Sequence, residues 1–163
     1  MPEHSSGILA YRYHDSQLEV FLVHPGGPWW AGKDRAAWSI PKGKFDPQEE
    51  DAFLAAKREF REETGFEVDG APVYLGQVRQ SRSKVVQAWM VQGDFDPARI
   101  RSNTFFLEWP RGSGEYRSFP EIDRAAWFDL VTARQKLHKG QVPLLDLLLQ
   151  RLQLGRQNGS RQK

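Results

Sequence analysis

The stretch from residue 41 to residue 66, P-K-G-K-F-D-P-Q-E-E-D-A-F-L-A-A-K-R-E-F-R-E-E-T-G-F, constrains this sequence more than any other. It contains a loop with Gly43, a run of strong helix formers, and Gly65 at a position where helices commonly end. Acidic residues stand at the start of the run, where the positive end of a helix dipole favours them. The pattern predicts a helix over residues 48–64.

Three carboxylates of this predicted helix share one face. Glu59, Glu62 and Glu63 have the spacing i, i+3, i+4, and successive residues rotate by about 100° around a helix. In this projection neither Arg58 nor Arg61 falls inside the triplet, so we expect an external group to neutralise it. Mg²⁺ is held by carboxylate oxygens, waters and substrate phosphates, so Mg²⁺, or Mn²⁺ in its place, is predicted here. The alternative is a solvated, charged helix face.

The same residues resemble the Nudix box, G-x5-E-x7-R-E-U-x-E-E-x-G-U, where U is aliphatic or aromatic. The run R-E-F-R-E-E-T-G-F, which starts at Arg58 and ends at Phe66, matches the second half at every position. The interval from Gly43 to Arg58 is one residue longer than the pattern. Counting from Gly43 selects Glu49 as the early glutamate, whereas counting back from Arg58 selects Glu50, and both assignments stay open.

The resemblance implies roles for the matched residues. The metal ligands that it implies are Gly43 through its carbonyl, Glu59, Glu62 and Glu63. The catalytic set that it implies is Arg58, Glu62, Glu63 and Glu121. In this set Arg58 would brace the early glutamate, while the general base stays open between Glu62 and Glu121.

The fold class that the resemblance implies is α/β, with a Nudix-type α/β/α sandwich around a mixed central sheet. The implied activity is Mg²⁺-dependent hydrolysis of a phosphoanhydride bond in a nucleoside diphosphate linked to a group X. Residues 80–84 contain neither the proline typical of ADP-ribose hydrolases nor the tyrosine typical of dinucleoside polyphosphate hydrolases. A MutT-like nucleotide pyrophosphohydrolase is therefore the default hypothesis.

Three alternatives to that hypothesis stay open. Two are enzymes, a dinucleoside polyphosphate hydrolase and a nucleotide-sugar hydrolase. The third is a non-catalytic Nudix-fold module that binds a nucleotide or has a regulatory role. The intact R-E-F-R-E-E run favours an enzyme, because degenerate modules commonly lose these acids.

Composition limits the remaining classes. The 163 residues suit one domain, predicted over residues 1–154, followed by a polar tail over 155–163 that is predicted to be disordered. The absence of cysteine excludes disulfides, thiolate metal sites and cysteine nucleophiles. We expect a cytoplasmic protein without a membrane partner, since neither a signal peptide nor a spanning apolar run is evident.

The charge balance and the histidines add little to the functional assignment. With 23 basic and 21 acidic residues, the sequence predicts no specific nucleic-acid binding. The expected partner is a nucleotide-type small molecule, and the oligomeric state stays open. His4, His14, His24 and His138 lack ligand spacing, so they are interpreted as surface or packing residues.

The rest of the chain predicts strands and helices by periodicity and turn chemistry. The predicted strands are 7–13 and 18–24 as one hairpin, a short strand over 38–40, 72–80 and 84–93 as a second hairpin, and 125–130. The predicted helices are a short one near 97–101, one over 131–138, and an amphipathic one over 143–154.

A substrate-binding set is predicted from loops and strand ends. Residues 24–34 break regular structure and carry Trp29 and Trp30, which could stack on a nucleobase, with Lys33 near phosphate. Alternatively, at least one tryptophan covers the edge of the sheet. Lys42 and Arg79 are further phosphate candidates, with solvated strand ends as the alternative interpretation for Arg79.

Residues 95–124 are predicted to form a long irregular segment that acts as a lid or binding loop, because they contain several prolines and glycines. Glu108, Glu115 and Glu121 are the acids of this segment that could join the helix triplet. Glu121 best matches the additional acid that Nudix enzymes often place before a late strand. The alternative for each of the three is a solvated surface role.

Overall fold

Eight strands and three α-helices make up the part of the chain that the computed structural model describes, which is residues 2–161 for the backbone and 2–155 for the side chains. The strands are β1 Glu3–His14, β2 Gln17–Pro25, β3 Lys42–Lys44, β4 Val73–Ser81, β5 Lys84–Gln92, β6 Thr104–Glu108, β7 Tyr116–Pro120 and β8 Ile122–Asp129. The helices are α1 Ala52–Thr64, α2 Leu130–Lys136 and α3 Pro143–Arg161, with single 3₁₀ turns at Pro97–Arg99 and Lys139–Gln141.

The main sheet has the order β4-β5-β1-β2-β8, and β3 also pairs with β1. β1 and β5 are parallel and the other pairs are antiparallel, so the sheet is mixed. The turn between β1 and β2 places Asp15 and Ser16 at φ values of 50° and 65°, as in the tight hairpin turns that match strand twist. Both predicted hairpins are confirmed. Trp38 and Ser39 make isolated bridges instead of the strand predicted over residues 38–40.

Alternating side chains of β1 and β2 build two hydrophobic cores, one on each face of the sheet. Ile8 and Phe21 belong to the core under α1, together with Phe60 of that helix. Leu9 and Leu22 belong to the core under α2 and α3. The predicted α/β/α sandwich with a mixed central sheet is therefore confirmed.

Helix α1 begins at residue 52, so the prediction of a start at residue 48 is wrong. Asp51 is the N-cap, and its side chain accepts a hydrogen bond from the Leu54 N–H at 3.1 Å. The preceding residues form a turn in which the N–H groups of Glu49 and Glu50 donate to the Asp46 carbonyl. The helix ends as predicted at Gly65, whose φ of 81° is the left-handed conformation that a glycine adopts without steric cost.

Residues 95–124 are more regular than predicted. They contain a 3₁₀ turn at Pro97–Arg99, near the predicted short helix, and the antiparallel pair β6–β7. β8 starts at Ile122 instead of residue 125. The prolines and glycines that indicated irregular structure lie mainly in the connection between β6 and β7, where they do not interrupt pairing.

Helix α3 continues to Arg161 and so passes the predicted end at residue 154. Gln162 and Lys163 lie outside the described residues. The division into a domain over 1–154 and a tail over 155–163 stays a prediction. No helix in the described part of the chain has the length and apolar character needed to cross a membrane.

Candidate functional site

A short series of backbone hydrogen bonds brings Glu121 to helix α1. The Asn103 N–H donates to the Glu62 carbonyl, and the Glu121 N–H donates to the Asn103 carbonyl, both at 2.8 Å. The Glu121 carbonyl in turn accepts from the Gly26 N–H at 2.8 Å. The helix, the β7–β8 junction and the loop after β2 therefore meet at one place.

The four carboxylates whose charges act on one another in this region, Glu59, Glu62, Glu63 and Glu121, are called the acid cluster below. Burial raises the pKa of Glu121, and the charge of Glu62 raises it further. Burial likewise raises the pKa of Glu59, with Arg58 acting against it and with Glu62 and Glu121 adding to it. Mutual repulsion of this kind disfavours full ionisation unless a cation binds nearby.

Glu63 is the acid of this cluster whose pKa is raised furthest. Burial is the main cause, and the charges of Glu59 and Glu121 raise the pKa further. The hydrogen bond from the Lys42 N–H, at 2.8 Å to Glu63 Oε1, and the charge of Lys42 act in the opposite direction. Glu63 is therefore a carboxyl group that keeps its proton at higher pH than an exposed glutamate does.

Strand β3 approaches the cluster so closely that a side chain at residue 43 would displace the Glu59 carboxylate or the strand. A Cβ placed on Gly43 would lie 2.0 Å from the Cδ atom of Glu59, well inside van der Waals contact. The backbone of β3 thus lies directly against Glu59 and, through the Lys42 N–H, against Glu63. The role of the Gly43 carbonyl as a metal ligand stays a prediction.

Arg58 forms a bidentate pair with Glu50. Its Nε and Nη2 atoms donate to the two carboxylate oxygens of Glu50, each at 2.9 Å, which is the strong geometry for such a pair. This hydrogen bonding lowers the pKa of Glu50 and raises that of Arg58. The structure therefore pairs Arg58 with Glu50, not with Glu49.

Arg58 also reaches the acid cluster, although the helical projection placed it outside the triplet. Its Nη1 atom lies 2.8 Å from Glu59 Oε1 and 3.2 Å from Glu62 Oε2. The projection located Cα atoms only, whereas a long side chain reaches its i+4 neighbour on the helix surface. Part of the negative charge is thus neutralised internally.

The donor chemistry of the cluster fits Mg²⁺, but its carboxylates are engaged with protein groups. No three His, Asp or Glu side chains among the described residues converge as a ready-made metal site. Glu59 and Glu62 contact Arg58, and Glu63 accepts from the Lys42 N–H. The cluster nevertheless offers four carboxylate side chains, and carboxylate oxygens are the ligands that a hard divalent cation prefers.

A cavity, called the aromatic pocket below, lies between the loop after β2 and strand β6. It has a volume of about 250 Å³ and is lined by Gly26, Gly27, Pro28, Trp29, Trp30, Lys33, Phe105 and Leu107. Trp29 is 60% exposed, and the Lys33 Nζ atom lies 5.0 Å from the Trp30 ring centroid. The structure therefore brings the three predicted loop residues together around one cavity.

Phe105 and Leu107 were not predicted as site residues. They reach the aromatic pocket because β6 and β7 fold back over the loop, which no local pattern indicates. Alternation along β6 was the available signal, since Phe105 and Leu107 are partly buried while Phe106 between them is 75% exposed. The pocket adjoins the acid cluster through the hydrogen bond from Gly26 to Glu121.

The Lys42 side chain leaves β3 on the face opposite α1. Ser6 faces α1, since its hydroxyl donates to the Ala52 carbonyl at 2.5 Å, so the next residue, Gly7, faces the other way. A Cβ on Gly7 would lie 2.7 Å from the Lys42 Cβ. Burial lowers the pKa of Lys42, and the charge of Glu63 opposes that shift. A substrate contact by the Lys42 side chain stays a prediction.

The remaining candidates lie within hairpins. The Arg79 guanidinium donates to the Arg82 carbonyl at 2.9 Å in the β4–β5 turn, and its predicted contact with phosphate stays untested. Glu108 accepts from the Gly112 N–H, and Glu115 lies 4.0 Å from Arg117. Of the three acids considered in residues 95–124, Glu121 is the one whose charge acts on α1.

Comparison with known proteins gives a consistent family assignment. The NUDIX domain model matches residues 4–148. The NUDIX domain of Shewanella oneidensis NrtR complexed with ADP ribose is similar in structure, with a TM-score of 0.64 and 17% identity over 93% of this chain and 89% of that one. A Caenorhabditis elegans Ap4A hydrolase has a TM-score of 0.63 and 20% identity over 92% and 97%. A mutT/nudix family protein from Listeria innocua has a TM-score of 0.60 and 18% identity over 95% and 97%. No match is found among curated proteins.

The chain belongs to the NUDIX family. It is a hydrolase acting on phosphorus-containing anhydrides. At these sequence identities the solved structures establish the fold alone.

The raised pKa of Glu63 predicts how the stability of the metal-free protein depends on pH. The folded protein keeps this proton at pH values where the unfolded chain, with a glutamate near 4.5, has lost it. Stability from protonated Glu63 is therefore lost as pH rises above 4.5 toward the raised pKa. With EDTA present, Glu63→Gln should gain stability relative to wild type between about pH 5 and about pH 8, by up to about 1.4 kcal/mol for each unit of pKa shift.

The free energy of unfolding of wild type and Glu63→Gln is measured by urea titration, monitored by circular dichroism, at about pH 5 and about pH 8. Glu67→Gln is the matched control, because Glu67 is 69% exposed and lies 3.6 Å from Arg61. A constant stability difference between wild type and Glu63→Gln across this range would contradict a buried, protonated Glu63.

Proposed function

We propose that this chain is a Mg²⁺-dependent nucleotide pyrophosphohydrolase that hydrolyses a phosphoanhydride bond in a nucleoside diphosphate linked to a group X. The observation that supports it best is the direct connection of the acid cluster to the aromatic pocket. Glu121 belongs to the cluster, and its carbonyl accepts the Gly26 N–H from the rim of the pocket. A nucleotide has both a phosphate chain and an aromatic base, which match these two neighbouring surfaces.

The acid cluster would hold the metal through Glu59, Glu62 and Glu63, with the Gly43 carbonyl beside them. When bound there, Mg²⁺ would neutralise charge on phosphate oxygens and lower the pKa of a water molecule. Arg58 keeps Glu59 and Glu62 in place while Glu50 fixes its guanidinium. Because Glu50 occupies two donors of Arg58, the guanidinium keeps its position if its contacts with the cluster are exchanged for a cation.

Glu121 is the proposed general base. Arg58 contacts Glu59 and Glu62 but not Glu121, so the Glu121 carboxylate is the member of the cluster most available to a water molecule. Burial and the charge of Glu62 raise the pKa of Glu121, which moves a carboxylate toward the range in which it accepts protons efficiently near neutral pH. The attacking water would lose its proton to this carboxylate.

The aromatic pocket is the proposed site for the nucleobase. Trp30 and Phe105 offer ring faces and edges to a flat aromatic ligand, and Lys33 lies beside Trp30, where it could meet a phosphate. A nucleoside triphosphate is the default substrate. Dinucleoside polyphosphates and nucleotide sugars have the same two chemical parts and form the competing enzyme hypotheses.

A panel of nucleotides tests this function. Nucleoside triphosphates, dinucleoside polyphosphates, ADP-ribose and nucleotide sugars are incubated with the wild-type protein and Mg²⁺, and the products are separated by ion-exchange chromatography. Cleavage of at least one compound to a nucleoside phosphate and a second phosphorylated product is expected, with loss of that cleavage in Glu63→Gln. Binding of nucleotides without turnover would contradict the enzyme hypothesis and indicate a non-catalytic, ligand-binding module.

A further inference from the structure

His24, near the end of β2, is fully buried and uses both of its ring nitrogens. Nδ1 lies 2.8 Å from Asp123 Oδ1, and Nε2 lies 2.6 Å from the Lys33 carbonyl oxygen. The ring also packs edge-on against Trp38 at a centroid distance of 5.2 Å. The sequence alone predicts a surface or packing role for this histidine, but its contacts join two parts of the candidate site.

Both partners of the His24 ring accept hydrogen bonds. The Lys33 carbonyl can only accept, so Nε2 must carry a proton. The ionised Asp123 carboxylate also only accepts, so a second proton must lie between Nδ1 and Asp123. A neutral ring with its only proton on Nε2 would instead direct the lone pair of Nδ1 at the negative Asp123 carboxylate. The pair therefore shares one proton beyond that of a neutral imidazole and an ionised carboxylate.

The two contacts hold the loop that forms the aromatic pocket. At one end of this loop the Lys33 carbonyl accepts a hydrogen bond from the His24 ring. At the other end the Gly26 N–H donates to the Glu121 carbonyl. Trp29 and Trp30 lie between these two attachments. Asp123, which holds His24, is in β8 and lies two residues after Glu121. The loop is thus attached at both ends to the segment that carries Glu121.

We propose that His24 is a positioning residue that sets the aromatic pocket, because its bonds to Asp123 and to the Lys33 carbonyl hold the loop whose Trp29 and Trp30 line the cavity together with Phe105. The ring is identified as a nucleobase only through the proposed function. The role of His24 in holding the loop does not depend on that function.

Other charged groups surround this contact and limit how far the loop can move. On β8, Arg124 Nε lies 3.7 Å from Asp123, and the Arg124 guanidinium lies 5.2 Å from the Trp38 ring centroid. In the loop, Asp34 accepts from Trp38 Nε1 at 2.8 Å and also pairs with Lys136 of α2. Asp34 stays attached if the His24 contact is lost, so local loosening is expected over residues 26–33 and not general unfolding.

His24→Phe keeps an aromatic ring, although a slightly larger one, and removes both hydrogen bonds. We expect faster amide hydrogen exchange in peptides that cover residues 26–33, and a KM for the nucleotide cleaved in the panel that rises about tenfold, as for loss of a charge-assisted hydrogen bond. The kcat should change by less than about twofold, because His24 touches none of the four acids of the cluster. The matched control is His14→Phe, since His14 is 61% exposed in the β1–β2 turn region.

Two Asp123 variants keep the proposal testable if His24→Phe does not fold. Asp123→Ala should speed exchange over residues 26–33, because it leaves the His24 ring without this partner. Asp123→Asn should keep exchange slow, since an amide can donate to Nδ1 of a neutral ring while Nε2 still donates to Lys33.

Unchanged exchange over residues 26–33 in both His24→Phe and Asp123→Ala would overturn the positioning role. Faster exchange with an unchanged KM would overturn its link to substrate binding. The exchange measurement needs no turnover, so it remains informative if no nucleotide is hydrolysed and the proposed function fails.

Discussion

Glu63→Gln is expected to lower the kcat of Mg²⁺-supported nucleotide hydrolysis by about 10²–10⁴-fold, the range for loss of a carboxylate that acts directly in catalysis. The amide keeps the shape of the side chain and can still accept the Lys42 N–H bond, which is 2.8 Å long in the wild-type structure. It loses the negative charge needed to hold a divalent cation. Initial rates with the nucleotide selected by the panel, at saturating Mg²⁺, measure the effect.

The matched control for this substitution is again Glu67→Gln. Glu67 is 69% exposed and pairs with Arg61 outside the acid cluster, so its loss of charge should leave the rate within about twofold, as for surface substitutions generally. Equal activity of Glu63→Gln and wild type would remove Glu63 from the catalytic set. Both variants should keep the wild-type circular dichroism spectrum.

Gly43→Ala is expected to reduce kcat by about 10²-fold or more, because misplacement of a catalytic group by about 1 Å can cost that much. A methyl group at residue 43 would lie 2.0 Å from the Glu59 carboxyl carbon, so either β3 or the Glu59 side chain must move. Movement of Glu59 would disturb its bond to Arg58 and the charge distribution of the whole cluster. Measurement of kcat together with Mg²⁺ affinity by calorimetry checks the result.

Gly155→Ala is the control for the added methyl group. Nothing lies within 4 Å of a Cβ placed at Gly155, which is in α3, and alanine is a better helix former than glycine by about 1 kcal/mol. This variant should keep full activity and be no less stable than wild type. Wild-type kcat and Mg²⁺ affinity in Gly43→Ala would show that β3 can move aside without consequence for the site.

Local patterns were sufficient for the elements that depend on nearby residues. The hairpin around Asp15 and Ser16 follows from alternation on both sides of a polar turn. The end of α1 at Gly65 follows from the preference of glycine for the left-handed conformation. The start of the same helix was misplaced by four residues, at 48 instead of 52, because Glu49 and Glu50 suit both a first helical turn and the preceding loop.

The parts of the site that depend on distant residues could not be predicted. The choice of Glu50 over Glu49 as the partner of Arg58 depends on the path of the turn after β3, which the count of residues leaves open. Phe105 enters the aromatic pocket only because β6 and β7 pair with each other, far in sequence from Trp30. Contacts of this kind are tertiary and have no periodicity along the chain.

His24 illustrates the same limit for a single residue. The sequence contains four histidines without ligand spacing, so none of them indicated a function. The partners of His24, Asp123 and the Lys33 carbonyl, become neighbours only after β2 and β8 pair. By contrast, Glu121 was predicted from its position before a late strand, and its charge does act on the α1 acids.

The central claim is that the acid cluster makes nucleotide hydrolysis depend on Mg²⁺. Its most direct test is a titration of Mg²⁺ into metal-free wild-type protein at a fixed concentration of the panel nucleotide, with the initial rate recorded at each step. The rate should start at the level of the buffer, rise to saturation with Mg²⁺ and fall again on addition of EDTA, while Glu63→Gln stays near the buffer level throughout. Hydrolysis that continues undiminished in EDTA, or nucleotide binding without hydrolysis at every Mg²⁺ concentration, would contradict the claim.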